Sequence, residues 1–144
     1  MFIGQDSNSC NENYLDVPEA FSRFLVEPFF ITRGFDRNLM VFPADVYETL
    51  VKKMMSLNIA DPLVRSVQRM LIGSAVRVEI DETGFFSLSL KLKEFAGLDN
   101  EVVWVGQGKY LEVWSQANWD RQEQMMLDVE DGKRFASLNL SVFE

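Results

Sequence analysis

The chain has no histidine and a single cysteine among its 144 residues. Histidine is the commonest general base and the commonest transition-metal ligand, so its absence argues against both kinds of site. With Cys10 alone there can be no internal disulfide, and a structural zinc site is not expected. Cys10 lies in a polar stretch and could be a reactive thiol, but no neighbouring residue would lower its pKa. We therefore expect a cytoplasmic protein with no catalytic residues, no metal and no cofactor.

Basic residues are also scarce, since 14 Lys and Arg stand against 22 Asp and Glu, for a net charge of −8. Phosphate contacts need clustered Lys and Arg, so this balance argues against broad, nonspecific nucleic-acid binding, although a local basic patch remains open. No stretch approaches the roughly 20 apolar residues that a membrane helix needs. The first residues also lack the basic and then apolar pattern of a signal peptide. We expect no membrane segment.

One pattern occurs twice in the chain, at a distance of 72 residues. Residues 31–42 align without a gap with residues 103–114. The matched pairs are Gly34 and Gly106, Arg37 and Lys109, Leu39 and Leu111, and Phe42 and Trp114. A module of this length buries little apolar surface alone and tends to pair with its own copy. The repeat predicts two fused halves, at 1–72 and 73–128, followed by a divergent tail at 129–144.

Local patterns predict the same order of elements in each half. Residues 5–13 are polar and carry little strand signal. The predicted strands are 14–17, 29–32, 39–42, 76–80, 85–90 and the second hairpin, with an extra tail strand over 135–143. The predicted helices are 18–25, one after Pro43, one from Asp61 to Gly73, 91–96, and one capped by Ser115 that carries Trp119 and Met126. The expected buried stripes are Val46, Leu50, Val51, Met54 and Met55 on one helix, and Leu63, Val67, Met70 and Leu71 on the next.

The segment TRGFDRNL at 32–39 resembles the signature of the MraZ family, bacterial regulators linked to the cell-division and cell-wall gene cluster. The resemblance extends to residues 1–4, 69–81, 94–98, 105–108 and 112–114, and it covers roughly residues 1–124 in order. It implies an α+β fold of the AbrB/SpoVT type, in which two pseudo-symmetric swapped-hairpin halves form a barrel-like β core with flanking helices. It also implies a homo-oligomeric ring that binds promoter repeats in DNA and takes no small-molecule substrate. Such a protein would be cytoplasmic and associated with the nucleoid.

The chain departs from the family at the motif expected to touch DNA. Family members carry Asp-x-x-x-Arg in the first turn of each half, and the arginines are the expected DNA contacts. Here Cys10 and Tyr14 occupy those positions in the first half, while the second half keeps Asp81 and has Phe85. Neither aromatic residue can replace a guanidinium that forks onto a guanine edge or a phosphate, although Tyr14 could stack or donate one hydrogen bond. Two hypotheses stay open: a DNA-binding regulator, and a scaffold that keeps the fold and has lost DNA binding.

Several further side chains are candidates with competing interpretations. The residual phosphate contacts, near the second turn, would be Arg77, Lys91 and Lys93. Arg33 and Arg37 could touch phosphate or a neighbouring subunit, or pair with Asp36 or with the 45–48 region. We expect Arg65 and Arg69 to form salt bridges within the chain or between subunits. Asp81 is expected to form a turn by bonding its own backbone. The indole side chains are expected in the core or at subunit interfaces: Trp104, Trp114 and Trp119. The proline expected after the second strand is replaced by Ser89.

Overall fold

Antiparallel strands and short helices alternate along the computed structural model, which describes residues 1–126, 134–135 and 137–138. The strands in these residues are β1 Gln5–Ser9, β2 Tyr14–Asp16, β3 Phe29–Arg33, β4 Leu39–Pro43, β5 Val76–Val78, β6 Phe85–Ser87, β7 Glu101–Gly106 and β8 Leu111–Ser115. The helices are α1 Glu19–Ser22, α2 Ala44–Met55, α3 Pro62–Gln68, α4 Leu90–Ala96 and α5 Gln116–Met125. A π-helical turn, Arg69–Gly73, continues α3. The predicted tail strand at 135–143 falls mostly outside the described residues.

The strands form one large sheet and one small ribbon. The large sheet has the order β1-β7-β8-β4-β3-β5, while β2 and β6 pair with each other. Every pairing is antiparallel, and each hairpin takes a third strand from the other part of the chain: β1 joins β7, and β5 joins β3. Because β1 and β5 lie at the two edges, the sheet is open. The observed class is thus α+β, as predicted, without a closed barrel.

The register places repeated positions opposite each other at two points. In the β4–β8 pairing, Met40 faces Glu112, which is 72 residues away in sequence. In the β2–β6 ribbon, Leu15 faces Phe86, at an offset of 71 residues. Since β2 and β6 run antiparallel, the turn before β2 and the turn before β6 lie at opposite ends of the ribbon.

Alternation along the strands buries both faces of the large sheet. The ribbon, α1 and α4 cover one face, with side chains that include Leu15, Phe21, Phe86 and Leu92 packed against strand residues such as Val41, Trp104 and Leu111. Two separate clusters cover the other face. One gathers around Phe42, Tyr47 and Leu71 below α2. The other contains Val103, Val105, Trp114 and Trp119 below α5. Tyr47 and Trp119, matched in the repeat, therefore occupy corresponding positions.

Side-chain caps fix the helix boundaries that the sequence predicts. The Asp61 carboxylate accepts a hydrogen bond from the Leu63 amide at 2.9 Å, Pro62 is the first residue of α3, and the π-helical turn ends at Gly73. The Ser115 hydroxyl accepts from the Asn118 amide at 3.0 Å and begins α5. Ser89, which stands where a proline was expected, caps α4 by accepting from the Leu92 amide at 3.2 Å.

The prediction failed for the polar segment at 5–13, where β1 spans Gln5–Ser9. Its residues carry little strand signal because most of them are exposed and the partner, β7, supplies the buried apolar face. An edge strand of this kind depends on its neighbour and not on its own pattern.

The predicted apolar stripes also contain errors. Met55 is 70% exposed and Leu63 is 68% exposed, so neither belongs to the buried face of its helix. Met126 is the C-cap of α5 and lies at 44% exposure. Each of these residues lies in the first or last turn of its helix or at its cap. Helical spacing alone does not show how far the neighbouring layer extends.

Candidate nucleic-acid interface

The turn before β2 is closed by two main-chain hydrogen bonds. The Asn11 and Tyr14 amides each donate to the other residue's carbonyl, at 3.1 and 2.9 Å, and Glu12 adopts a φ of 57°. Cys10 is buried at the base of this turn, where its amide donates to the Asn100 carbonyl at 2.7 Å. Burial raises the pKa of the Cys10 thiol, an effect that the Lys93 charge opposes. Cys10 is therefore a core residue, and its interpretation as a reactive thiol in an open loop is wrong.

The turn before β6 is built around Asp81. Its carboxylate accepts hydrogen bonds from the Thr83 hydroxyl and from the amides of Thr83 and Phe85, the latter two at 2.8 and 3.1 Å. These bonds, chiefly that of the Thr83 hydroxyl, lower the pKa of Asp81. Gly84 completes the turn at a φ of 85°, a conformation that suits glycine. Asp81 is thus engaged in shaping its own turn.

The two positions that carry arginine in the family differ in exposure here. The Tyr14 side chain is 47% exposed, whereas Phe85 is half-buried. The charges close to these turns are mostly negative, because Glu12 lies in the first turn and Glu82 follows Asp81 in the second. Lys93 is the exception, since its ammonium group donates to the Glu12 carbonyl. The structure places Lys93 at the first turn and not near the second, which corrects the sequence-based expectation.

Arg77 lies on the edge strand β5, where it is exposed. Its guanidinium forms an ion pair with Glu79 at 2.7 Å, between side chains that are 56% and 63% exposed. Such a surface pair contributes little to stability. It does reduce the net positive charge that Arg77 presents.

A groove of about 790 Å³ brings together three basic residues from separate parts of the chain. Arg33 comes from the end of β3, Arg69 from the π-helical turn, and Lys91 from the first turn of α4. No Asp or Glu is among the residues that line this basic groove. The other lining residues are Ser66, Met70, Gly73, Ser74, Ala75, Val76, Ser89, Leu92 and Phe95. The groove joins Lys91, predicted as a DNA contact, to two residues predicted as structural.

Arg33 and Arg37 both stack on one aromatic ring. Their guanidinium carbons lie 4.9 and 5.1 Å from the centre of the Phe95 ring. Cations at this distance are attracted by the π electrons of the ring. No ion pair with Asp36 or the 45–48 region occurs for either arginine in the described residues. The sequence gave no sign of the role of Phe95, because its partners are about 60 residues away in sequence.

The helix arginines also depart from expectation. Arg65 donates to the Ile59 and Ala60 carbonyls at 2.9 and 3.0 Å, so it secures the start of α3 instead of forming a salt bridge. Arg69 is exposed and makes no ion pair with any described residue. Salt bridges between subunits stay a prediction.

The indole of Trp114 belongs to the core. It donates to the Glu112 carboxylate at 3.1 Å, and its ring meets Trp119 edge-on with 5.4 Å between centres. Burial raises the pKa of Glu112, and the hydrogen bond from Trp114 opposes this shift. Trp104 is fully buried and donates to Asn8 at 3.0 Å, so it ties β7 to β1.

Comparison with known proteins places these features in a family. A family model described as "MraZ protein, putative antitoxin-like" matches residues 71–136. The transcriptional regulator MraZ of Thermomicrobium roseum is 35% identical over 127 residues, which are 88% of this chain and 89% of that protein. The chain belongs to the MraZ family. Its relationship to another MraZ, the transcriptional regulator of Desulfitobacterium hafniense, is 32% identity over 99% of this chain and 100% of that protein. The protein of the same name from Nitrosomonas europaea is 39% identical over 102 residues, 71% of this chain and 69% of the relative.

As a member of the MraZ family, the chain has relatives that are named transcriptional regulators. In the described residues of this MraZ protein, the helices are all too short or too polar to cross a membrane.

Proposed function

We propose that this MraZ-family chain is a sequence-specific DNA-binding transcriptional regulator of cell-division and cell-wall genes. It would act in the cytoplasm, at the nucleoid, as a homo-oligomeric ring on promoter repeats. The observation that carries the proposal is the match, over nearly the whole chain, to a relative named a transcriptional regulator. No residues of this chain are assigned to catalysis.

We infer that the chain consists of two AbrB/SpoVT-like swapped-hairpin halves, at 1–72 and 73–128, with a divergent tail at 129–144. The exchange of first strands between hairpins supports this inference, since β1 joins β7 and β5 joins β3. The register supports it as well, because Met40 faces Glu112 and Leu15 faces Phe86 at the repeat distance. The halves would share one open sheet.

The DNA-facing surface would be the β2–β6 ribbon with its two turns. The exposed Tyr14 can stack on a base or donate one hydrogen bond, and Lys93 supplies a positive charge beside the first turn. One subunit would bind weakly, because the acidic residues of both turns repel phosphate. A ring engages several repeats at once, so its avidity can exceed the affinity of one subunit.

A gel-shift series with DNA from upstream of the chain's own gene tests the proposal. The salt concentration is raised from about 50 mM, where the electrostatic contribution to affinity is large. We expect repeat-dependent shifts that weaken with salt, and weaker binding by Lys93→Gln. Lys52→Gln is the matched control, because Lys52 is 74% exposed and pairs only with Glu48 on α2. Absence of binding at the lowest salt would refute the proposal.

A second candidate function is a scaffold that keeps the fold and the ring but does not bind DNA. The uncharged side chains of Tyr14 and Phe85 favour it, as does the use of the Asp81 carboxylate within its own turn. This hypothesis predicts a stable ring without DNA affinity, and gain of binding in the double variant Tyr14→Arg, Phe85→Arg. Equal binding by the unchanged protein and the double variant would exclude it.

A further inference from the structure

The basic groove concentrates positive charge in a chain whose net charge is −8. Arg33, Arg69 and Lys91 face the same space, and none of them pairs with a carboxylate among the described residues. Like charges repel at short range, and walls of low dielectric strengthen their combined field. A bound anion would relieve this repulsion. The groove therefore has the electrostatic character of an anion site.

Local interactions hold the walls of the groove in place. The Arg33 amide donates to the Ser74 hydroxyl at 2.9 Å, and that hydroxyl in turn donates to the Met70 carbonyl. The Arg33 guanidinium rests over Phe95. Arg69 begins the π-helical turn, a form that is rare in proteins and common at functional sites. These contacts preorganise two of the three basic residues for binding.

The size and lining of the groove indicate the kind of anion. Its volume of about 790 Å³ lies within the range of sites for small organic ligands, and it exceeds what a lone phosphate needs. Met70, Val76, Leu92 and Phe95 give it an apolar wall beside the three cations. We propose that the basic groove binds a small phosphate-bearing molecule with an apolar or aromatic body, of the size of a nucleoside diphosphate. Arg69 and Lys91 bind its phosphates, and the apolar wall contacts its body.

Calorimetric titration of the full chain with ADP and with inorganic pyrophosphate, without divalent cations, tests this site. We expect saturable binding of both probes, and tighter binding of ADP because only ADP reaches the apolar wall. Arg69→Gln and Lys91→Gln should each raise Kd about tenfold, the effect of losing one charge-assisted hydrogen bond. The matched controls are Arg23→Gln and Lys52→Gln, exposed residues that do not line the groove.

Both groove residues are exposed, so their variants should unfold at the same urea concentration as the unchanged chain. Absence of saturable binding at about 1 mM ADP, near the weak limit of specific affinity, overturns the proposal. An equal loss in groove and control variants also overturns it. If ADP does not bind while Arg69→Gln weakens binding to the upstream DNA, the three cations contact DNA phosphates and the small-molecule site is wrong.

Discussion

Gly106, one of the two glycines matched in the repeat, allows the N-terminal segment to lie against β7. A Cβ atom at this position would lie 2.6 Å from the carbonyl carbon and oxygen of Phe2 and 2.7 Å from the Ile3 nitrogen. These are main-chain atoms, so no side-chain rotation can relieve the overlap. We predict that Gly106→Ala destabilises the protein.

Two responses to the extra methyl group bound the loss of stability. If the N-terminal segment stays in place, the overlap is relieved by small backbone shifts, which cost about 1–3 kcal/mol. If the segment detaches, three hydrogen bonds of about 1 kcal/mol each are lost: Phe2 to Gly108, Gly108 to Phe2, and Gly106 to Gly4. Detachment also exposes the buried Phe2 ring, at about 2 kcal/mol more. The protein takes the cheaper response, so we expect a loss of about 1–3 kcal/mol.

Urea unfolding at one fixed protein concentration measures this loss. Gly73→Ala is the control, because its Cβ would meet nothing closer than the Arg69 Cβ at 4.0 Å and its backbone lies outside the left-handed region. We expect Gly73→Ala to change the free energy of unfolding by less than about 1 kcal/mol. Equal unfolding midpoints for the two variants would refute the reasoning.

Two further predictions concern buried polar groups. Tyr47→Phe removes the hydroxyl that donates to the Leu71 carbonyl at 2.8 Å, so it should lower the free energy of unfolding by about 1–2 kcal/mol in urea, more than Tyr110→Phe does. The pKa of Glu112 is raised above its ordinary 4.5, chiefly by burial, so its contribution to stability is present below 4.5 and is lost as the pH rises through the raised value. Glu112→Gln should therefore unfold at a higher urea concentration than the unchanged chain near neutral pH, and this advantage should disappear below pH 4.5; a lower midpoint near neutral pH would contradict this explanation.

The elements set by local chemistry were predictable from sequence. Asp61 and Ser115 cap their helices as expected, because a cap bonds an amide two or three residues away. The hairpins at residues 29–43 and 101–115 follow from alternation around a turn. Strand β1 could not be predicted, since its ladder is supplied by β7 about 95 residues later. The match of Gly34 with Gly106 was visible, but their reasons differ: a Cβ at Gly34 would overlap the Asn38 side chain, and one at Gly106 the Phe2 backbone.

The candidate site shows the same division. The two turns were located from a motif, and the backbone bonding of Asp81 follows from its local sequence. The position of Lys93 beside Glu12 did not, because the two residues are 81 apart in sequence and α4 lies across the ribbon from its own turn. The basic groove depends on three elements that only the tertiary fold brings together.

The internal repeat constrains shape more strongly than chemistry. Tyr47 and Trp119 correspond in the repeat and both are buried, yet the Tyr47 hydroxyl donates to Leu71 while the Trp119 indole N–H has no partner in the described part of the chain. At the centre of the sheet an apolar Met40 faces a carboxylate, Glu112. Aromatic or apolar volume satisfies the packing at such positions, because a close-packed core responds first to shape. Polar groups are free to differ between the halves wherever the backbone bonds are already complete. The turns at opposite ends of the ribbon fit this pattern, since both keep their main-chain closure although neither has the arginine of the family motif.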